Sequence, residues 1–168
     1  MFFTGCTHFD HAGIIRMTRR PFASVEDMNE AMIERWNAKV GPNDTVYHLG
    51  DFGFLKNQRR HDEVLDRLNG EIHLIHGNHD HTLTRKQKRW VSSEKYLEVE
   101  TPVGRFVLFH YPIDEWNGLF RGARHLHAHT HRSEKVGAVP LRNRINVTVE
   151  AWDYAPAHMD EIAAVWPR

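Results

Sequence analysis

The first half of the chain alternates short apolar runs with longer amphipathic segments. Strands are predicted at 1–4, 45–49 and 72–75, because each run has strand length, is rich in β-branched or apolar residues, and ends in turn-forming residues. Helices are predicted over 24–40 and 57–68, where apolar side chains recur at helical spacing between capping and stop signals. The order strand, helix, strand, helix, strand predicts a parallel sheet with right-handed crossovers.

The second half changes to strands joined by turns. Strands are predicted at 96–99, 105–109, 124–128 and 144–149, with a hairpin turn over Thr101-Pro102-Val103-Gly104 and a short final helix at 157–164. These strands predict a second, more antiparallel sheet that packs against the first. At 168 residues the chain is long enough to bury a core of its own, so we expect one domain over 1–168.

Composition and charge narrow the classes of function. Lys and Arg total 22 and Asp and Glu total 22, so no bulk charge attracts nucleic acid or membrane, and we expect no stable partner of either kind. The sequence has no run of about 18 apolar residues, which argues against a transmembrane helix. The single cysteine, Cys6, excludes an internal disulfide and fits a reducing compartment, so we expect a cytoplasmic protein. The sequence leaves the oligomeric state open.

Polar residues follow the predicted strands. Thr7-His8 follows the first strand, Gly50-Asp51 the second, and Gly77-Asn78-His79-Asp80 the third. The carboxyl ends of parallel strands share one edge of a sheet, and ligands collect there. Two later segments add His110-Tyr111-Pro112 and His129-Thr130-His131, so several of the 14 histidines cluster at strand ends. This pattern predicts a metal site.

The nitrogen and oxygen donors of these segments suit a divalent cation that activates water. The residues predicted as donors are His8, Asp51, Asn78, His110, His129 and His131. If the chain is extended there, His129 and His131 point the same way, since they are two residues apart. Asp51 could bridge two cations, and metals about 3.5–4 Å apart would clamp an in-line displacement at phosphorus and make a bridging water nucleophilic near neutral pH.

Together these motifs resemble those of the calcineurin-like metallophosphoesterases, in particular the small prokaryotic and phage-type members. The resemblance covers nearly the whole chain and rests on Thr7-His8-Phe9-Asp10-His11, Gly50-Asp51, Gly77-Asn78-His79-Asp80, His110-Tyr111-Pro112 and His129-Thr130-His131. It implies an α/β (α+β) fold, a four-layer α-β-β-α sandwich of two mixed sheets. It also implies two divalent metal ions, which we expect to be Mn, Fe, Zn or Ni.

The resemblance further implies roles for the matching positions. One metal would be held by Cys6, His8, Asp51 and His131, and the other by Asp51, Asn78, His110 and His129. His79 would be catalytic, stabilising the phosphoryl oxygens or protonating the leaving group. Asp80 would orient His79 or support the ligands from behind.

Two positions depart from the family pattern. Cys6 stands where the family usually has Asp, and its thiolate would favour zinc or iron and make the site sensitive to oxidation. Alternatively, Cys6 is a buried small residue that leaves one metal position weak. Ala128 replaces a usual Gly, with little expected effect. A phosphatase with Cys6 as nucleophile is excluded, because Ala12 stands where that chemistry needs an arginine.

Three residues are predicted to contact substrate. His11 belongs to the first motif, while Trp116 and Arg121 lie in a loop between two ligand motifs, where the ring could stack on a base and the guanidinium could meet a phosphate. The alternative for Trp116 is a ring that anchors this loop to the core. The remaining histidines are expected in the core or at strand edges (His48, His76) or at the surface (His61, His73, His81, His125, His158).

The leading hypothesis from the sequence is a metal-dependent phosphoric ester hydrolase, in which metal-bound hydroxide attacks phosphorus and His79 assists departure of the alcohol. Because His79 suits a poor leaving group, we expect phosphodiesters of the nucleotide or cyclic nucleotide type. The alternatives are a phosphomonoesterase of broad specificity and a catalytically inactive binding or scaffold protein of the same fold.

Overall fold

Two β-sheets lie at the centre of the fold. The computed structural model describes residues 1–136 and 144–166. Its strands are β1 (Phe2–Thr4), β2 (Thr45–His48), β3 (Glu71–Ile75), β4 (Ser92–Glu94), β5 (Tyr96–Thr101), β6 (Gly104–Phe109), β7 (Arg124–His127), β8 (Arg144–Asn146) and β9 (Ala157–His158). Its α-helices are α1 (Ala12–Thr18), α2 (Val25–Lys39), α3 (Gln58–Leu65), α4 (Thr82–Arg85) and α5 (Met159–Ala164).

The first sheet has five strands in the order β4-β3-β2-β1-β9. Strands β1 to β4 pair in parallel, as the alternation of strands and helices predicts, and β9 adds an antiparallel edge. The pattern of apolar residues does not predict β4 or β9, because strands of 3 and 2 residues are too short to show an alternation. The final helix consequently begins at Met159, after the position predicted for it.

The second sheet has four strands in the order β5-β6-β7-β8. Only the β5–β6 hairpin is antiparallel, whereas β6–β7 and β7–β8 are parallel. The second sheet is therefore only slightly more antiparallel than the first, because the expected antiparallel pairing is limited to the hairpin. Strands β6 and β7 pair in parallel because the connection over 110–123 is long enough to return the chain to the starting end of the sheet. The prediction of two mixed sheets is confirmed.

The two faces of the first sheet pack against different layers. Phe2 and Val46 lie in an apolar cluster with helices α2 and α3, whereas their chain neighbours Phe3 and Tyr47 lie in the cluster between the sheets, because successive strand residues point to opposite faces. From the second sheet this inter-sheet cluster contains Phe106, Leu108, Leu126 and Ile145. The connection over 110–123 covers the outer face of the second sheet. The architecture is the α/β sandwich of two mixed sheets that was expected.

The main helices begin at side-chain caps. The Ser24 hydroxyl accepts a hydrogen bond from the backbone N–H of Asp27 (3.0 Å) at the start of α2, as predicted. Asn57 does the same for Arg60 N–H (3.0 Å) at the start of α3. Within residues 1–136 and 144–166, no helix is both long enough and apolar enough to cross a bilayer.

The chain leaves the second sheet earlier than predicted. Strand β8 ends at Asn146, and Val149–Ala151 forms a 3-10 turn. The backbone N–H of Val149 donates to the carbonyl oxygen of Gly5 (3.1 Å). This bond brings the turn, and with it Glu150, beside the loop that follows β1.

Candidate metal centre

Loops that follow β1, β2, β3, β6 and β7 meet at one edge of the two sheets. Backbone hydrogen bonds join them: Cys6 N–H donates to Gly50 O (2.8 Å), His8 N–H to Asp51 O (3.0 Å), and Ala128 N–H to His110 O (2.9 Å). These loops carry every residue predicted as a metal ligand. The structure therefore brings together segments that are far apart in sequence.

Cys6 and Asp51 lie in the middle of the cluster. The ligand atoms of Cys6, His8 and His131 lie within 4.8 Å of one another, and so do those of Cys6, Asp51 and His110. Asp51 Oδ2 lies 3.7 Å from His8 Nε2 and 3.4 Å from His110 Nε2. One carboxylate oxygen thus faces a histidine nitrogen on each side, as a bridging ligand must.

The other two predicted ligands lie on the His110 side. Asn78 Oδ1 is 3.0 Å from His110 Nε2, and the ring centroids of His110 and His129 are 5.1 Å apart. The backbone N–H of His129 donates to Cys6 Sγ (3.2 Å). Asn78 and His129 therefore lie beside His110, while Cys6 is within ligand distance of both His8 with His131 and Asp51 with His110.

Several ligands have a strained backbone. Five predicted ligands have a positive φ: Cys6 (55°), His8 (53°), Asp51 (57°), His129 (68°) and His131 (49°). A residue other than glycine held in a sparsely populated region costs roughly 1–3 kcal/mol and persists only where its surroundings impose it. Strand β7 ends at His127, so His129 and His131 converge through left-handed turns and not through an extended strand as predicted.

Two glycines let the β2 and β3 loops approach each other. A Cβ atom on Gly50, whose φ is +85°, would lie 2.3 Å from Gly77 N, and one on Gly77 would lie 2.2 Å from Asp51 Oδ1. A Cβ atom on Gly5 would lie 2.7 Å from the Cβ atom of Ala128. Gly5 thus leaves the space that Ala128 occupies, in keeping with the small effect expected of that departure.

Burial decides the protonation of the central groups. Burial lowers the pKa of His8 to about 2, against the opposing charge of Asp51, so the ring is neutral. Burial would raise the pKa of Asp51, but the hydrogen bond and charge of His110 bring it down to about 2. Burial, with the charges of Asp51 and Glu150, raises the pKa of the Cys6 thiol well above its usual range. Without a cation the cluster therefore holds a thiol at Cys6, a carboxylate at Asp51 and a neutral imidazole at His8.

This donor set fits a divalent cation. Among residues 1–136 and 144–166, His8 Nε2 is buried without a hydrogen-bond partner, although an unpaired buried nitrogen is costly. The His8 ring lies within ligand distance of the Cys6 thiol and the His131 imidazole, and His8 Nε2 is 3.7 Å from Asp51 Oδ2. A cation there would satisfy the nitrogen and would displace the proton of Cys6.

Asp80 supports the ligands through the backbone. Its Oδ2 accepts hydrogen bonds from the N–H groups of Asp51 and Gly77 (both 2.8 Å), and its Oδ1 accepts one from Phe52 (2.9 Å). Both oxygens are used by the loops after β2 and β3. These contacts correspond to the supporting role considered for Asp80, and within residues 1–136 and 144–166 its carboxylate forms no hydrogen bond with the His79 ring.

Aromatic rings line the rim of the cluster. His79 is exposed, and its ring centroid lies 5.6 Å from that of His8. Phe54 stacks on His11 with a centroid distance of 4.0 Å. On the other side, Tyr111 lies 4.7 Å from His129. His11 is thus beside the ligands, where a substrate contact is predicted, and Phe54 and Tyr111 are rim residues that are not among the predicted site residues.

Trp116 and Arg121 lie away from this rim, which corrects their predicted role as substrate contacts. The Trp116 indole N–H donates to Ala123 O (2.9 Å), and its ring lies 5.2 Å from that of His125 on the outer face of the second sheet. Arg121 lines a groove with Gly104 at the start of β6, the end of the strand opposite to the ligand loops. Trp116 therefore anchors its loop to the core, the alternative left open by the sequence.

Two charged residues behind the ligands have no motif that could reveal them. Arg20 is 4% exposed, and its guanidinium pairs with Glu150 (Nη2–Oε1, 2.8 Å). Glu150 Oε1 also accepts a hydrogen bond from His131 Nδ1 (2.9 Å). Glu150 follows a run that was predicted as strand, so nothing in the sequence places it near a ligand.

The histidines outside the cluster are not all located where they are predicted, in the core or at the surface. His48 is buried and bonded to Thr7 Oγ1 (2.9 Å), as expected of a core residue. His61 and His125 are also buried, with both ring nitrogens of each in hydrogen bonds, although surface positions are predicted. Their partners include backbone oxygens and a hydroxyl distant in sequence, which no local pattern reveals.

Known proteins resemble this chain in sequence and in structure. No family model matches the chain. The chain is 38% identical over 159 residues to the uncharacterized protein MJ1445 of Methanocaldococcus jannaschii, covering 93% of this chain and 85% of that protein. The crystal structure of the protein of unknown function AQ665 from Aquifex aeolicus matches with a TM-score of 0.77 at 24% identity over 98% of both chains, which supports the fold. YfcE, a phosphoesterase from E. coli, matches at a TM-score of 0.43 and 15% identity over 88% of this chain and 76% of its own, too low to bear on activity.

Proposed function

We propose that this chain, which belongs to the same family as the uncharacterized protein MJ1445 of Methanocaldococcus jannaschii, is a metal-dependent phosphoesterase. One observation supports this most: the thiol of Cys6, the carboxylate of Asp51 and the rings of His8, His110 and His131 converge at the ends of the strands. A structural core would not gather these polar groups beside a buried nitrogen that has no hydrogen-bond partner in the described part of the chain.

The two sides of the cluster suit different cations. Cys6, His8 and His131 offer sulfur and nitrogen, a combination that favours zinc or iron(II). Asp51, Asn78, His110 and His129 offer oxygen and nitrogen and would accept a harder ion such as manganese. When bound, divalent cations polarise phosphoryl oxygens and lower the pKa of water to near neutrality.

The chain's own residues would orient the ester and assist the departure of the alcohol. His79 lies in the exposed rim beside His8, and its imidazole can donate a proton to the leaving oxygen. Its backbone N–H donates to Asp51 Oδ1 (2.8 Å), which fixes its position relative to the cluster. His79 can therefore act on the substrate while the ligand set stays in place.

Two aromatic rings favour a substrate with a planar group. Phe54 and Tyr111 are each 37% exposed and pack against histidines on opposite sides of the cluster. Exposed aromatic rings beside a phosphate site can stack on a base. We therefore propose phosphodiesters of nucleotides, including cyclic nucleotides, as the substrate class.

Hydrolysis of two chromogenic esters tests the activity. Metal-free protein is given manganese, iron(II), zinc or nickel and is assayed with bis(p-nitrophenyl) phosphate and p-nitrophenyl phosphate. We expect turnover of the diester to exceed that of the monoester with at least one metal. His79→Gln should reduce kcat at unchanged metal content, and His81→Gln, at an exposed neighbouring position, should not. No turnover with any metal would refute the proposal and favour a binding or scaffold protein.

A pair of phenylalanine variants tests the substrate class. Phe54→Ala should raise KM for a cyclic nucleotide and leave KM for a diester without an aromatic group unchanged. Phe120→Ala is the matched control, because Phe120 is 95% exposed on the loop that carries Arg121, away from the ligand loops. Equal changes with both substrates would contradict a stacking role for Phe54.

A further inference from the structure

A buried ion pair connects the two loops that carry the sulfur and nitrogen ligands. Arg20 Nη2 donates to Cys6 O (2.7 Å) and Arg20 Nη1 donates to Thr7 O (2.8 Å), so the guanidinium holds the backbone of the loop after β1. Its Nε and Nη2 both donate to Glu150 Oε1 (3.0 and 2.8 Å), the oxygen that accepts from His131 Nδ1. Arg20 and Glu150 thus tie Cys6 to His131 across 125 positions of the chain.

The contacts of Arg20 exclude a role in binding substrate. Each guanidinium nitrogen donates within the protein, with Met28 Sδ as a further acceptor of Nη1 (3.4 Å), and the side chain is buried. A guanidinium has five N–H donors, and these contacts use all of them. No donor remains for a phosphate.

The contacts of Glu150 determine which nitrogen of His131 is free. A carboxylate can only accept hydrogen bonds, so His131 Nδ1 carries a proton, and Nε2 is the ring nitrogen that can bind a cation. Glu150 Oε2 is buried and has no hydrogen-bond partner within the described part of the chain, so the interactions of this carboxylate concentrate on the oxygen shared by Arg20 and His131.

The strained backbone shows why such a connection is needed. Cys6, His8 and His131 all have left-handed φ values, which their residue types disfavour. Without outside contacts the loops would relax and the ligand atoms would separate. A buried charge pair is itself weak evidence of stabilisation, since desolvation offsets its attraction. Its contacts with both loops instead indicate a role in placing the ligands.

We propose that Arg20 and Glu150 are positioning residues that prepare Cys6, His8 and His131 to bind a cation, a role that rests on the metal-dependent function proposed above. Glu150 fixes the tautomer and direction of the His131 ring, and Arg20 fixes Glu150 together with the Cys6 loop. Partners of this kind behind a metal-binding histidine typically change metal affinity by roughly 10–100-fold when removed.

Cobalt(II) binding to metal-free protein tests this role without an activity assay. Cobalt bound by a thiolate gives a near-ultraviolet charge-transfer band, so the band reports Cys6 directly. Glu150→Ala removes the oxygen that accepts from both Arg20 and His131, and Arg20→Ala removes the guanidinium, so we expect each to weaken the cobalt binding that produces this band by roughly 10–100-fold. Glu30→Ala is the matched control, because it removes a glutamate of an exposed ion pair with Arg67. The control should bind cobalt as the wild type does.

Each outcome has a distinct meaning. Wild-type affinity and an unchanged band in a folded Glu150→Ala protein would overturn the positioning role and leave the proposed function intact. A wild-type protein that binds no cobalt would instead refute the proposed function, and this inference with it. If the variants do not fold, nitrogen NMR of the wild-type histidines tests the positioning role instead. We expect the metal-free His131 ring to be protonated at Nδ1, and protonation at Nε2 would overturn the inference.

Discussion

Asp80 provides a quantitative test of how the metal-binding loops are held. In Asp80→Asn the side-chain oxygen can keep the bonds from Asp51 and Gly77 N–H, but the amide nitrogen then replaces Oδ1 and faces the N–H of Phe52. One charge-assisted bond is lost, a buried donor is left unpaired, and the two remaining bonds become neutral. With about 1.5–3 kcal/mol for a bond to a charged group, we expect a loss of about 3 kcal/mol in the free energy of unfolding.

Urea unfolding of the metal-free protein measures this loss, read from the midpoint at an unchanged m-value. Asp153→Asn is the control, because Asp153 forms an exposed ion pair with Arg35 and should change the free energy by less than about 0.5 kcal/mol. Metal affinity should fall together with stability in Asp80→Asn, since Asp51 loses its backbone support. A variant of wild-type stability and metal affinity would refute the reasoning, and a reduced kcat alone would restore the predicted role of Asp80 in orienting His79.

Further predictions concern the close loop contacts, the thiol and acid stability. Gly77→Ala should lower metal affinity at least about tenfold in equilibrium dialysis, because its Cβ would meet Asp51 Oδ1 at 2.2 Å, whereas Gly41→Ala meets only the flexible Asp44 carboxylate and should not. Cys6→Asp should shift metal preference from zinc toward manganese in competition binding, and an unchanged preference would mean that Cys6 is not a ligand. The metal-free protein should also lose stability as pH falls from 6.5, since burial lowers the pKa of several histidines that the unfolded chain protonates near 6.5. The groups concerned are His8 (pKa about 2), His48 (about 3), His125 (about 4) and His127 (about 4). Each contributes up to about 1.4 kcal/mol per pH unit, so equal urea midpoints at pH 7 and pH 5 would contradict this assignment.

Local signals explain what could be predicted about the fold. The apolar runs around Val46 and Ile72 and the helix that begins at Ser24 are continuous in sequence, and the parallel pairing follows from their order. The polar residues that end these strands, such as Asp51, had to meet at one edge of the sheet because parallel strands share their carboxyl ends. The prediction that the loops after β6 and β7 lie at the same edge rests instead on the resemblance of their motifs to those of the family.

The remaining features depend on contacts that no short segment contains. Glu150 reaches His131 because a 3-10 turn ends β8 early, and Arg20 joins it from the chain after α1. The segment around Trp116 lies between ligand motifs in sequence, yet it packs on the far face of the second sheet. The left-handed backbone of His129 likewise arises from the packing of its loop against Cys6, and residue type alone disfavours it.

Elemental analysis of the purified protein tests the central claim most directly, with Asp51→Asn measured beside the wild type. Because Asp51 Oδ2 faces His8 on one side and His110 on the other, we expect two divalent ions for each wild-type chain and loss of both positions in the variant. A wild-type chain that holds no divalent ion after exposure to zinc, iron(II) and manganese, or a variant that holds as much metal as the wild type, would contradict it.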